Sequence, residues 1–230
     1  MIQPVPTSSV LESGDRLTRD EFERRYEASA VRKAELIQGV VYVASPVRHD
    51  VHGSPHFFSV MWTSHYVART PGTDGACDST IRLTPDSEPQ PDIMLRIEER
   101  HGGRAQLDSS GYVEGPPELV VEIAASSASY DLHDKKAAYA DAGIQEYVVW
   151  RTLDRAIDCF HLRDGRYERA TEATDGIWRS EVFPGLWLHC EAAIERDRTG
   201  VLDTLEQGLA TEAHREFVAQ LRAAAANDHG

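Results

Sequence analysis

Lysine is almost absent from this chain. Of 24 basic residues in 230, only Lys33, Lys135 and Lys136 are lysines, and the net charge is −14 at pH 7. So acidic a composition argues against a broad basic surface for nucleic acid, where lysines and arginines neutralise phosphates. It leaves room for a local site that approaches a phosphate through a metal ion. Cysteine is equally sparse. Cys77, Cys159 and Cys190 are odd in number and far apart, which excludes a disulfide framework and a zinc-ligand pattern and points to a reducing cytoplasm. No apolar run approaches the roughly 18 residues of a membrane span, so no membrane role is expected. Met1 to Arg16 is polar and lacks the apolar centre of a secretory signal. Internal repeats and low-complexity linkers are also missing.

What remains is the composition of a globular protein, 41% hydrophobic and 27% charged, long enough to bury a sizeable core. The expected organisation is a flexible N-terminal tail over 1–17, one domain over 18–195 and a helical C-terminal extension over 196–230. Thr18-Arg19-Asp20-Glu21 has the form of a capping box and starts a helix that runs to about Ala28. A hairpin is expected around Gln38-Gly39. Ser54-Pro55 opens a helix to Arg69, with an apolar face from Phe57 to Tyr66. Strands are expected over 76–83, 90–96, 119–123 and 146–150, and a hairpin across Asp164-Gly165. Residues 98–115 read as a mobile loop, a potential lid. From Asp203 to Ala226, Leu205, Leu209, Ala213, Phe217 and Leu221 recur every fourth residue, as on one helix. Helices alternating with strands predict an α/β fold, layered around a central mixed sheet.

The run Leu119-Val120-Val121-Glu122-Ile123-Ala124 carries one carboxylate inside an apolar strand. Buried carboxylates are normally paired or metal-bound. Glu35 precedes one strand, and Asp92, after Pro91, begins another. Neighbouring strands lie roughly 5 Å apart, close enough for two carboxylates to share an ion. Phosphodiester hydrolysis asks for such a set. A divalent cation with oxygen ligands neutralises the phosphate, and a lysine assists the attacking water. Lys135 and Lys136, on the helix after Glu122, are the candidates. Asp131 and Lys135 are four apart and share a helix face. Each of these residues alone also fits a plain solvent-facing role. His49, His52 and His56 have a spacing that metal ligands can use, but Gly53-Ser54-Pro55 is expected to interrupt a shared helix face, and the zinc-protease pattern is missing.

Pro91-Asp92 and Glu122-Ile123-Ala124 resemble the signature of the PD-(D/E)XK nuclease superfamily. More narrowly, the chain resembles the Uma family, a group described as restriction endonucleases. The resemblance rests on Glu35-Leu36-Ile37-Gln38-Gly39, Ser45-Pro46 with His49, Gln90-Pro91-Asp92-Ile93, Pro117 to Ile123, Asp131 through Lys135 to Tyr139, and Gly143 to Tyr147. It spans roughly residues 18 to 190. Each motif is weak alone, and their order and spacing give the specificity. The resemblance implies a restriction-endonuclease-like α/β/α sandwich and hydrolysis of DNA to a 5′-phosphate and a 3′-hydroxyl. Asp92, Glu122 and the Ile123 carbonyl would bind Mg²⁺ or Mn²⁺. Glu35 would help through a water, Lys135 would activate the nucleophile, and a homodimer would cut both strands. The chain departs from the superfamily pattern at Ala124, where the triplet places a lysine. The resemblance moves that lysine to the next helix and favours Lys135 over Lys136. Ala124 and the acidic surface keep a second reading in play, a nuclease-fold binding or assembly module without chemistry. A third is hydrolysis of another phosphate ester.

Overall fold

A computed structural model describes residues 10–125, 127–170 and 175–227. The first helix, α1 (Arg19–Ala28), starts where the sequence places it. Thr18 Oγ1 accepts the Glu21 N–H at 3.4 Å. Only half of the expected capping box forms, because the Glu21 carboxylate turns to Arg24 and Arg25 instead. Strands β1 (Ala34–Ile37) and β2 (Val40–Val43) form an antiparallel hairpin. Gln38 and Gly39 take φ of 48° and 77° between them, the left-handed pair of a tight hairpin turn. Phe22, Leu36, Val41 and Leu11 bury one another as a small separate core. Of the expected tail, residues 1–9 lie outside the described residues. Residues 10–17 are tied along β2, with the Gly14 N–H donating to the Val41 carbonyl at 2.8 Å.

A π-helical turn, His49–Gly53, runs straight into α2 (Ser54–Arg69). Strand β3 (Thr73–Cys77) follows, then β4 (Ile81–Arg82) and β5 (Ile93–Ile97). The single strand expected over 76–83 is broken at Asp78, whose φ is 52°. The expected mobile loop is folded instead. Strands β6 (Gln106–Leu107) and β7 (Val113–Glu114) join β4 in a small sheet, with Ala105 and Val113 buried. Asp108 closes the turn between them by accepting the Ser110 and Tyr112 N–H groups.

Strand β8 (Leu119–Ala124) leads through the short α3 (Ala128–Tyr130), a second π-helical turn (Asp131–Lys135) and α4 (Lys136–Ala142), which ends at left-handed Gly143. Strands β9 (Glu146–Arg151), β10 (Ala156–Arg163) and β11 (Arg166–Arg169) complete the main sheet. The order is β11-β10-β9-β8-β5-β3, with β8 and β9 parallel and the other neighbours antiparallel. A hairpin of β12 (Ile177–Arg179) and β13 (Trp187–His189) then feeds α5 (Cys190–Ile194), α6 (Arg198–Leu209) and α7 (Glu212–Asn227). No helix among the described residues is long and apolar enough to cross a membrane.

The helix expected from 203 to 226 is thus two. The Thr211 hydroxyl accepts the His214 N–H at 3.3 Å and caps the second. Near the break, Gly208 packs directly on the Gly185 carbonyl; a Cβ there would lie 2.3 Å from that oxygen. Val201, Leu205, Leu209, Phe217 and Leu221 join the same core as Phe58, Trp62 and Tyr66 of α2.

The two faces of β8 explain where the site forms. Side chains alternate along a strand. Leu119, Val121 and Ile123 pack under α2 and α5–α7. Val120 and Ala124 face the other way, with Tyr139 of α4, Tyr147 and Met94. Glu122 shares this second face by parity, and so points at the helix that carries the two lysines.

A buried carboxylate outside that face gives the first testable consequence. Burial, with the Glu23 carboxyl beside it, pushes Glu88 up to about 8, and Glu88 Oε2 has no hydrogen-bond partner among the described residues. Its folded pKa stands above the unfolded value, so its contribution to stability is full below about pH 4.5 and is lost as pH rises towards 8. Glu88→Gln is expected to stabilise the protein by about 1–2 kcal/mol at pH 8 and by nothing measurable at pH 4. Urea unfolding at the two pH values reads the difference.

Candidate active site

Four separate elements bring the acidic residues and one lysine together. Glu122 comes from β8, and Asp92 immediately precedes β5. Ile93 pairs with Val121, which sets Asp92 beside Glu122. Asp92 Oδ2 accepts the Ile123 N–H at 2.7 Å, and the Asp92 N–H points at Glu122 Oε2 at 3.4 Å. Glu35 arrives on β1, its Oε1 accepting the Gln90 N–H at 2.7 Å. Lys135 comes from the π-helical turn. Its Nζ lies 2.9 Å from Glu122 Oε1, 2.9 Å from Glu35 Oε1 and 3.8 Å from Asp131 Oδ1. Tyr139 donates its hydroxyl to Glu122 Oε1 at 2.8 Å.

Lys136 goes elsewhere. Its ammonium sits over the Phe160 ring, 3.6 Å from the centroid. The widened turn matters here, since such turns alter the direction of successive side chains and are frequent at functional sites. Of the two candidate lysines, Lys135 is the one among the carboxylates. The expected Asp131–Lys135 pair is the loosest of its three contacts.

These groups are out of water. Glu122 is 3% exposed, Asp92 4% and Lys135 4%. A buried glutamate need not be functional. Glu146, fully buried, is satisfied by the Ser180 hydroxyl and the Glu181 N–H, with the His161 imidazole 3.2 Å away. Glu122 differs, because its partners are a buried ammonium and a phenol. Burial pushes Glu122 up to about 8; Lys135 opposes the shift, and the charges of Asp92, Asp131 and Glu35 add to it. Burial likewise raises Asp131. Lys135 is held well above its ordinary range; burial works against its charge, but Glu122, Glu35 and Asp131 outweigh it. Three carboxylates around one ammonium carry surplus negative charge, which a proton or a metal ion relieves.

Asp92 behaves oppositely. Burial raises it, yet His52, Lys33 and the Ile123 N–H hold it below the usual carboxylate range. His52 Nε2 lies 3.3 Å and Lys33 Nζ 3.6 Å from Asp92 Oδ1. Lys33 also pairs with Asp78 at 2.6 Å. His56 Nε2 lies 2.9 Å from the Asp92 carbonyl oxygen. The hydrogen bond to Asp92 raises His52 against its burial.

Sequence reading missed the role of Lys33 and His52. The expected break at Gly53-Ser54-Pro55 does not separate the histidines, because the π-helical turn continues into α2 and lets His52 and His56 both reach Asp92. Their spacing is visible in the sequence, but the strand end that they meet is not. His49 was the histidine singled out by resemblance, but His52, three residues on, is the one that meets Asp92. Lys33 carried one signal, its rarity.

Among the described residues no three His, Cys, Asp or Glu side chains gather as a ready-made metal cage. The Asp92–Glu122 pair nonetheless suits a hard divalent cation, since it offers two carboxylates on adjacent strands, one of them held ionised. The Ile123 N–H fixes Asp92 within that pair.

The family profile Uma2, described as "Putative restriction endonuclease", matches residues 19–192. No curated protein matches the sequence. A crystal structure from Anabaena variabilis ATCC 29413, described as a "putative nuclease belonging to DUF820", shares the fold with a TM-score of 0.55 at 13% identity, over 89% of this chain and 99% of that one. The profile match takes in Lys33, Glu35, His52, Asp92, Glu122 and Lys135, and the chain belongs to the Uma2 family.

Proposed function

We propose that this protein is a metal-dependent endonuclease that hydrolyses DNA phosphodiester bonds. The observation that carries the reading is the buried set of Glu35, Asp92, Glu122 and Lys135, drawn from four elements onto one spot. Stability alone does not explain it. Burying an ion pair costs several kcal/mol of desolvation per charge, and apolar residues of similar volume usually serve the fold as well or better.

In this reading Asp92, Glu122 and the Ile123 carbonyl hold Mg²⁺ or Mn²⁺. The bound ion would neutralise charge on the phosphate and make the attacking water more acidic. The other parts belong to the chain. Tyr139 and Lys135 fix the Glu122 carboxylate from the helix side. Glu35 holds Lys135 from β1. An ammonium has three donors; Lys135 gives one to Glu122 Oε1 at 2.9 Å, and its contacts to Glu35 at 2.9 Å and Asp131 at 3.8 Å are ion pairs. In this reading a remaining donor orients the attacking water. Water forms the new bond to phosphorus as the bond to O3′ breaks; the water's proton passes to solvent and the leaving O3′ takes one from it, leaving a 5′-phosphate and a 3′-hydroxyl. Cutting both strands asks for two sites, so the reading includes a homodimer. Three cysteines, odd in number and far apart in the sequence, suit work in the cytoplasm.

Calorimetry tests the metal site. Mn²⁺ is expected to bind the wild type at one site and to show no binding to Asp92→Ala. Unchanged binding in the variant would remove Asp92 from the metal site. The net charge of −14 favours a second reading, a nuclease-fold module without chemistry. Its mark would be Mn²⁺ binding with no cutting of DNA.

A further inference from the structure

We propose that Lys33 and His52 form a clamp for the substrate phosphate, set on the open side of Asp92. The inference rests on the nuclease reading and adds to it the groups that receive the polyanion. An acidic protein with a carboxylate-rich site repels DNA unless positive charge is supplied locally. Lys135 cannot supply it, being 4% exposed and bonded to two carboxylates. The side chains of Lys33 and His52 are 29% and 20% exposed. They are the two basic side chains in ion-pair range of Asp92 among the described residues, and both approach the same oxygen, Oδ1.

The fold holds both residues for this purpose. His52 projects from the π-helical turn, which His56 anchors against the Asp92 carbonyl one turn later. Lys33 stands just before β1, and half-exposed Asp78 holds its ammonium at the rim, 2.6 Å away. With Asp92 engaged by a divalent ion, Lys33 and His52 would lose their hold on the carboxylate. Their N–H donors would then be available to the non-bridging oxygens of a phosphate, in place of the acceptors that Asp92 gives up.

Two measurements on Lys33→Met, His52→Gln and Lys33→Arg separate these roles. The first is binding of a short fluorescent DNA duplex, in Ca²⁺ to hold off cleavage, across a salt series. The second is Mn²⁺ calorimetry without DNA. The clamp predicts that Lys33→Met and His52→Gln each bind DNA roughly five- to tenfold more weakly. Lys33→Met should also lower the log–log salt slope by about 0.9. Mn²⁺ affinity should hold or tighten in both, because a competing cation is gone, and Lys33→Arg should bind DNA like the wild type. DNA affinity and salt slope unchanged in both variants would overturn the clamp while leaving the nuclease reading standing. A parallel loss of Mn²⁺ and DNA affinity would also overturn it, showing that the pair merely supports Asp92. A wild type that neither binds nor cuts DNA would overturn both readings together.

Discussion

Lys135→Met is expected to lower folding stability by about 3–5 kcal/mol at pH 7, a fall in Tm of roughly 10 °C or more. Methionine keeps the length and much of the volume of lysine, so packing changes little. What it removes is, among the described residues, the only cation paired with Glu35, Glu122 and Asp131, which lie buried around its Nζ. Left facing one another, those carboxylates must bind protons or separate. Burial already raises Glu122 and Asp131 with the ammonium present, and its removal takes them higher. Their folded pKa values then stand further above the unfolded ones, so the destabilisation is smallest near pH 5 and grows as pH rises to 8. Urea unfolding at pH 5, 7 and 8 reads this trend. Adding Glu35→Gln and Glu122→Gln should recover more than half of the loss, since removing one partner of a buried pair costs far more than replacing both. Lys136→Met is the control. Its ammonium rests on Phe160, a contact worth about 1 kcal/mol or less. Equal losses from the two lysine variants would mean that Lys135 has no special place in the fold.

The second large effect is on chemistry. Asp92→Asn is expected to cut DNA on the order of 10³-fold more slowly, the scale of losing a charge that a bound metal and the transition state both depend on. Stability should stay within about 2 kcal/mol of the wild type, because a carboxamide oxygen can still accept the Ile123 N–H that Asp92 Oδ2 accepts at 2.7 Å. The variant loses its hold on His52 and Lys33, whose ion pairs depend on the carboxylate charge. Loss of activity with a retained fold separates a chemical role for Asp92 from a structural one.

The centre of the site was legible because its determinants are local. The apolar run around Glu122 makes a strand buried on both faces, and period-two alternation then fixes which way Glu122 points. The capped crossover helix brings its lysines back over that face. The choice between Lys135 and Lys136 depended on the π-helical turn at Asp131–Lys135, and sequence carries no strong sign of such turns. Lys33 and His52 escaped for another reason. They lie 59 and 40 residues before Asp92 along the chain, and nothing in their own segments shows which strand end they will meet. The C-terminal helix was misread because its apolar repeat continues in phase across Thr211, where a side-chain cap starts a new helix. The lid over 98–115 was misread because charge and glycine suggested mobility, while its turn at Asp108 was built to pair two short strands.

The most direct test of the central claim is a plasmid-cutting assay on purified wild type and Asp92→Asn, side by side, in Mn²⁺ and in Mg²⁺. The account predicts that the wild type nicks and linearises supercoiled DNA, that the ends carry 5′-phosphates, and that folded Asp92→Asn leaves the plasmid intact over the same time. Cutting at the same rate by both proteins, or an intact plasmid after incubation with folded, Mn²⁺-loaded wild type, would contradict it.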